Sequence, residues 1–461
     1  MFDQSIFIKR RNRLKQLVRS GLVLFLGNEE SPMNYPDNGY HFRQDSSFLY
    51  FFGLDFAGLA GVVDVDEGTV AIYGNDLTIE DFVWMGPQPT IRERALAVGV
   101  EKTGPGAALK DVLKAAKAAG RKVHFLPPYR AENAITLMNG LGVAPDKARA
   151  EASVELIKAV VEQRAIKSPE EVKEIEAAVN TSVDMHLAAM RMVRPGVGEA
   201  EIAAEVHKIA LAAGGDIAFP IIATVHGETL HIHSHGNRLK DGDLFLLDAG
   251  AESALHYAGD LSSTIPVSAK FTPRQREIYE IVLAAHEAAV AALKPGVKNL
   301  DVHLLACRTI AVGLKNLGLM KGDVDEAVHQ GAHALFFPCG VGHMMGLDVH
   351  DMEDIGEIYV GYEGMPRSSQ FGLKSLRLAR ELRPGFVLTI EPGIYFIPEL
   401  ISQWKAAGRF TDFLNYDRIE AYKDFGGIRN EENFLITDDG KRLLGKPKPK
   451  TIEDVESIAR I

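Results

Sequence analysis

Asp241–Val267 reads DGDLFLLDAGAESALHYAGDLSSTIPV, and the fold is decided by how its carboxylates are delivered. An apolar run, LFLL, carries Asp248 into an Ala-Gly turn, and a second strand-like segment begins at Asp260, twelve positions on. Two strands of a hairpin set such side chains next to each other. Carboxylates that close repel, and one retains its proton unless a divalent cation compensates the charge. Taken alone, the pair reads as two aspartates at surface turns.

Three downstream stretches change that reading. Phe336–Asp354, FFPCGVGHMMGLDVHDMED, is a glycine-rich loop offering His343 and, seven residues later, His350. Arg383–Phe396, RPGFVLTIEPGIYF, ends an apolar strand on Glu391, and Phe425–Thr437, FGGIRNEENFLIT, presents Arg429, Glu431 and Glu432. Each carboxylate stands where an apolar strand meets a turn, the place where a buried core exposes a ligand to a cavity. Four carboxylates, Asp248, Asp260, Glu391 and Glu431, balance two divalent cations and leave a bridging hydroxide as the surplus nucleophile. Hard oxygen donors with one imidazole favour manganese, cobalt, zinc or iron over copper, without the thiolates of a structural zinc site. Two such ions make hydrolysis possible without a nucleophilic serine or cysteine.

Upstream, residues 1–160 mix β-rich runs (Leu22–Gly27, Leu59–Gly74) with helical stretches such as Ala107–Ala119, the pattern of a small α/β domain. Ser168, Pro169 and Glu171 then supply an N-cap, an N1 proline and the acidic partner of a capping box, so a long helix starts there. The domain boundary is expected just before it, giving domains 1–160 and 161–461. In the second, helical blocks over Pro273–Leu293 and Asn299–Leu317 separate the ligand-bearing strands. The tail GKPKPK and the basic stretch Lys9–Arg13 (KRRNR) read as solvated surface. A net charge of −11 with no basic patch argues against a nucleic-acid partner. The two cysteines, Cys307 and Cys339, have no CxxC or disulfide-framework spacing, and no secretory leader or membrane span is visible. The cytoplasm is the expected compartment, with no membrane partner.

The motifs DAG and AGD, HMMGLDVHD, TIEPGIYF and GIRNEEN, in this order, resemble the five metal-ligand motifs of the pita-bread metallopeptidases, in the Xaa-Pro aminopeptidase (aminopeptidase P) and prolidase branch. The similarity extends to YHFRQDSSFLYFFGLD at Tyr40–Asp55 and covers most of the chain. It implies an α/β (α+β) protein in which a small N-terminal domain precedes a pita-bread catalytic domain. Two divalent ions, Mn2+ before Co2+, Zn2+ or Fe2+, would be held with Asp248 on one, His343 and Glu391 on the other, and Asp260 and Glu431 bridging. Glu391 would shuttle the proton. Glu432 would point to the opposite side of its strand.

The resemblance implies cleavage between an N-terminal residue and a following proline, with proline-containing di- and oligopeptides as substrates. His231 in ETLHIHSHGN and His350 align with family histidines that bind substrate. His231, His233 and His235 would face one side of an extended strand. Arg429 would share a strand face with Glu431 and orient it or touch substrate. The stretch Glu363–Gly385 resembles the prolidase insertion, and Arg377 matches its dipeptide-carboxylate arginine. A strict Xaa-Pro dipeptidase is therefore the alternative, ahead of a divergent hydrolase such as creatinase or a binding protein on the same scaffold. PCGVGH, with Cys339, stands where relatives read PHGLGH, and Ser262 in DLSST stands where a threonine is common. The resemblance also implies a homo-oligomer, a dimer or tetramer.

Overall fold

The computed structural model describes residues 1–458, which form two compact units: Met1–Arg164 with Met352–Tyr359, and Ala165–Asp351 with the chain from Val360 onward.

The first unit is built on a five-stranded sheet. Its strands are β1 (Leu22–Leu26), β2 (Ala60–Asp64), β3 (Thr69–Tyr73), β4 (Lys102–Gly104) and β5 (Val123–Phe125), in the order β4-β3-β2-β1-β5. β1 pairs antiparallel to β2 and parallel to β5. The helix Ser46–Phe52, capped where Asp45 accepts from the Phe48 amide at 2.8 Å, buries all seven residues. Its Phe51 and Phe52 rings lie 4.6 and 6.0 Å from Phe25 of β1. The KRRNR stretch departs from the solvated surface expected of it. Arg10 and Arg11 are buried on the helix Gln4–Val18. Arg11 donates to the Phe51 and Val98 carbonyls at 2.7 and 2.6 Å, and Arg10 to the Tyr50 carbonyl at 2.9 Å. Long arginines reach past their helix to satisfy carbonyls left open at the ends of its neighbours, which a charge count along the sequence does not reveal.

The second unit packs long helices around small antiparallel sheets. The helix Pro169–Met192 starts as expected: the Ser168 amide donates to Glu171 at 3.0 Å, and the Glu171 amide donates back to Ser168 Oγ at 3.4 Å. The helices Pro273–Ala292 and Asn299–Asn316 occupy the segments read as helical. The strands are β6 (Asp216–Ile217), β7 (Ile222–Thr224), β8 (Leu244–Asp248), β9 (Ala251–Glu252), β10 (Ser262–Pro266), β11 (Val387–Ile390), β12 (Gly393–Tyr395), β13 (Gly427–Arg429), β14 (Glu432–Ile436) and β15 (Lys441–Leu443). They form sheets β10-β8-β7 and β11-β14-β15, with the pairs β12-β13 and β6-β9. The tail also departs from expectation: Lys448 is only 4% exposed and donates to the Ser262 carbonyl at 2.9 Å and to Ser263 Oγ at 3.1 Å. A buried ammonium needs acceptors, and β10 supplies them. Among the described residues no helix is long and apolar enough to cross a membrane.

Candidate metal centre

Antiparallel pairing of β8 with β10 sets Ser262 opposite Asp248, and Asp260 lies just before β10 begins. The turn after Asp248 needs its glycine, because a Cβ on Gly250 would fall 1.8 Å from the Gly259 carbonyl oxygen. Asp260 is fixed through its backbone: its amide donates to Asn433 Oδ1 at 3.1 Å, and Asn433 Nδ2 donates to its carbonyl at 2.6 Å. Glu391 follows β11, and Glu431 lies between β13 and β14. The loop bearing His343 is stitched to β11, with the Thr389 amide donating to the His343 carbonyl at 3.0 Å and the Glu391 amide to that of Val341 at 2.8 Å. This places His343 Nε2 3.4 Å from both Asp260 Oδ2 and Glu391 Oε1.

Arg429 is the cation that organises the cluster. Its Nη2 donates to Asp248 Oδ2 at 2.6 Å, its Nε to Ser262 Oγ at 2.8 Å and its Nη1 to the Tyr395 hydroxyl at 3.0 Å. Ser262 in turn donates to Glu431 Oε2 at 2.8 Å. Burial alone would lower the affinity of Arg429 for its proton, but Tyr395, Asp248 and Glu391 outweigh it and hold the guanidinium charged. Glu432 faces the other way, toward Lys450 Nζ at 2.5 Å and His286 Nε2 at 3.6 Å, as strand alternation requires.

The donor set fits divalent cations on three observations. Asp248 Oδ1, Asp260 Oδ1 and Glu431 Oε1 are buried with no hydrogen-bond partner among the described residues. Buried carboxylate oxygens left in that state are costly without a cation. His343 Nδ1 lies 3.0 Å from the Met344 carbonyl, which can only accept, so Nδ1 is the donor there and Nε2 is the ring nitrogen turned to the two carboxylates. The donor atoms of Asp260, His343 and Glu431 all lie within 4.8 Å of one another. Burial, then the charges of Asp248 and Glu391, push the Asp260 carboxyl well above its usual range. Burial and the charges of Asp260, Glu391 and Asp248 do the same to Glu431.

Asp248, Asp260, His343, Glu391, Glu431 and Arg429 are therefore brought together, and the His350 ring lies 4.3 Å from that of His343. Glu391 keeps 20% of its side chain exposed, against 13% for Asp248 and 7% for Asp260, so it is the most open of these three carboxylates. Arg377 is half-buried; the segment just before it packs on the His343 loop, with Leu376 Cα 3.0 Å from an ideal Cβ on Gly340. The strand expected for His231, His233 and His235 is absent. His231 lies in an exposed turn, and His235 Nε2 turns to the Ile221 carbonyl at 3.1 Å. The glycines and polar residues around these histidines favour irregular backbone over a strand. Among the described residues no hydrogen bond or ion pair joins His231 to the cluster. The sequence reading missed Asn433, Thr389 and Tyr395, whose roles rest on hydrogen bonds between distant segments. Cys339 lies beside Tyr395, Sγ to hydroxyl 4.0 Å, and burial and Glu391 push its thiol up to about 12.

The sequence pattern of metallopeptidase family M24 matches residues 173–438, and that of the aminopeptidase P N-terminal domain matches residues 7–124. A Homo sapiens Xaa-Pro dipeptidase is 30% identical, covering 98% of this chain and 93% of the human protein. An Escherichia coli (strain K12) Xaa-Pro aminopeptidase is 31% identical, over 98% of this chain and 97% of its own. The structure of zinc-substituted E. coli aminopeptidase P in complex with product superposes with a TM-score of 0.82 at 28% identity, covering 100% of this chain and 98% of that one.

Proposed function

The chain belongs to metallopeptidase family M24 and carries an aminopeptidase P N-terminal domain, and on that ground we propose that it is an Xaa-Pro aminopeptidase. The reaction is hydrolysis of the bond between an N-terminal residue and a following proline. The observation that carries this reading is the cluster of unpartnered buried carboxylate oxygens around His343 Nε2. In this reading residues 1–160 are the N-terminal domain and 161–461 the catalytic domain. Asp248, Asp260, His343, Glu391 and Glu431 would together hold two divalent ions. Bound there, two divalent ions, manganese in the first place, supply an acidified water and polarise the scissile carbonyl.

The chain's own residues do the rest. Arg429 holds Asp248 Oδ2 in place and, through Ser262, aims Glu431 Oε2. Thr389 Oγ1, 3.3 Å from Glu391 Oε1, steadies the carboxylate that takes a proton from the attacking water and delivers it to the prolyl nitrogen. That nitrogen has no hydrogen in the substrate imide, so it must be protonated to leave as an amine. His350, stacked edge-on to His343, donates to the substrate carbonyl. His231 contributes from its exposed turn once substrate is bound.

The second reading is a strict Xaa-Pro dipeptidase. It is favoured by Arg377 following a segment that packs on the His343 loop, because a guanidinium there reads a free carboxylate through two hydrogen bonds. Matched hydrolysis of Ala-Pro, Ala-Pro-Ala and Ala-Ala-Ala separates the two. Release of Pro-Ala from the tripeptide makes the enzyme an aminopeptidase, activity on Ala-Pro alone makes it a dipeptidase, and cleavage of neither overturns both. A homo-oligomer is supported by the helix Ile79–Met85, which buries none of its residues and leaves Val83 75% and Trp84 86% exposed. Large apolar side chains exposed together mark an association surface. Two free cysteines accord with a cytoplasmic location.

A further inference from the structure

Away from the carboxylate cluster, the second unit holds another group of metal-binding side chains. His303 and Cys307 are i, i+4 neighbours on the helix Asn299–Asn316, so they share one face, and neither has measurable exposure. His333, 2% exposed, reaches them from the single turn Ala332–Leu335. One donor atom from each lies within 4.8 Å of the others, and His303 Nε2 is already 3.4 Å from Cys307 Sγ.

Packing alone leaves this arrangement unexplained. Nδ1 of His303 is buried without a hydrogen-bond partner among the described residues, and the ring nitrogens of His333 are buried with no well-formed hydrogen bond, the Val328 carbonyl being the acceptor near them. Polar atoms shut away from water unpaired are costly and uncommon in folded proteins. The Phe337 ring, 5.6 Å from that of His303, adds apolar contact and supplies no partner. We infer that His303, Cys307 and His333 form a second metal site, distinct from the carboxylate centre, that takes one borderline-soft divalent ion of the zinc class.

The donor chemistry selects the ion. One thiolate and two imidazoles suit zinc and its soft neighbours over magnesium, calcium and manganese, which favour oxygen-rich sites without a thiolate. Zinc–nitrogen bonds of about 2.0–2.1 Å and zinc–sulfur bonds of about 2.3 Å put the donors of one tetrahedral ion roughly 3.5 Å apart, a separation that His303 Nε2 and Cys307 Sγ already have. Burial pushes His303 down to about 3 and His333 to about 4, so both imidazoles offer lone pairs throughout the physiological range. Cys307 is held well above its usual range by burial and by Cys339. Binding therefore breaks its S–H bond, forms a sulfur–metal bond and releases one proton to solvent, and affinity rises with pH. The ion would pin the helix Asn299–Asn316 to the turn from which the chain runs, ten residues later, to His343. Three protein donors leave the fourth position of a tetrahedral ion open, and because all three are buried, binding is coupled to the packing of these segments.

The full-length protein, stripped with a chelator and titrated with Co2+, tests this. A sulfur-to-cobalt charge-transfer band reports a thiolate ligand, and the proposed carboxylate centre contains none. The band is expected in the wild type and in an Asp260→Asn, His343→Ala variant that lacks the catalytic ligands. It is expected to vanish in Cys307→Ser and to persist in Cys339→Ser. His333→Ala checks the site without touching sulfur: at limiting Co2+ the band should be lost while the circular dichroism spectrum is retained. No band in the wild type at excess Co2+, or a band that survives Cys307→Ser, overturns the proposal. Neither outcome bears on whether the carboxylate centre hydrolyses peptides.

Discussion

Replacing Asp260 with asparagine should stabilise the metal-free protein while abolishing its response to metal. Asp260 and Glu431 have donor atoms within 4.8 Å of each other. Two unit charges at that distance and an effective dielectric constant of about 20 repel by about 3.5 kcal/mol. The folded protein avoids part of this by retaining protons, since both carboxyls are held well above their ordinary range by burial and by their acidic neighbours. A folded-state pKa above the unfolded one gives stability that is present in acid and lost as pH rises from the ordinary carboxylate range through the raised one. The advantage of the neutral asparagine therefore grows with pH, reaching about 1–3 kcal/mol near neutrality once partial protonation is allowed for. Saturating metal reverses the order: an ion at a thousand times its dissociation constant stabilises the wild type by about 4 kcal/mol and the variant hardly at all. Denaturant unfolding of both proteins, with chelator and with Mn2+, reads the two effects. If Asp260→Asn is the less stable protein in chelator at neutral pH, or gains as much from Mn2+ as the wild type, the reasoning about the cluster is wrong.

Three further outcomes follow from single residues. Cys339→His should raise kcat/KM on Ala-Pro-Ala about tenfold, measured by initial rates, because a thiol held protonated near 12 is a weak donor and one good hydrogen bond is worth about 1 kcal/mol or slightly more. Arg11→Met removes the donor to the Phe51 and Val98 carbonyls and should lower the unfolding free energy by about 3–5 kcal/mol, read from urea midpoints. Lys448 is pushed down to about 8 by burial, below its ordinary 10.5. Its charged form opposes folding below pH 8, and that cost is relieved as pH rises toward 10.5. Relative to Lys448→Met, the wild type should therefore gain stability across that window, by up to about 1.4 kcal/mol per pH unit. Equal pH dependence in the two proteins would contradict the burial of a charged Lys448.

The sequence made the carboxylate cluster readable because each member stands where a strand meets a turn, where period-two burial and nearby glycines leave a mark. The pairing of β8 with β10 follows from the same pattern. Burial of a long cation leaves no such mark. Arg10, Arg11 and Lys448 read as solvated because their partners are backbone carbonyls on other segments. The histidines around His231 alternate like a strand, yet the surrounding glycines and polar residues give a loop. His303 and Cys307 carry helical spacing, but His333 is far from them in the chain and joins them only in the folded unit. The Asn433 side chain is likewise silent in sequence, since its task is to hold the backbone of Asp260.

The most direct test of the central claim is release of Pro-Ala from Ala-Pro-Ala by chelator-stripped enzyme, with and without Mn2+, beside His343→Ala. The account predicts cleavage by the wild type only when metal is restored, and none by the variant at the same metal concentration. Equal cleavage with and without metal, or full activity in His343→Ala, would contradict it.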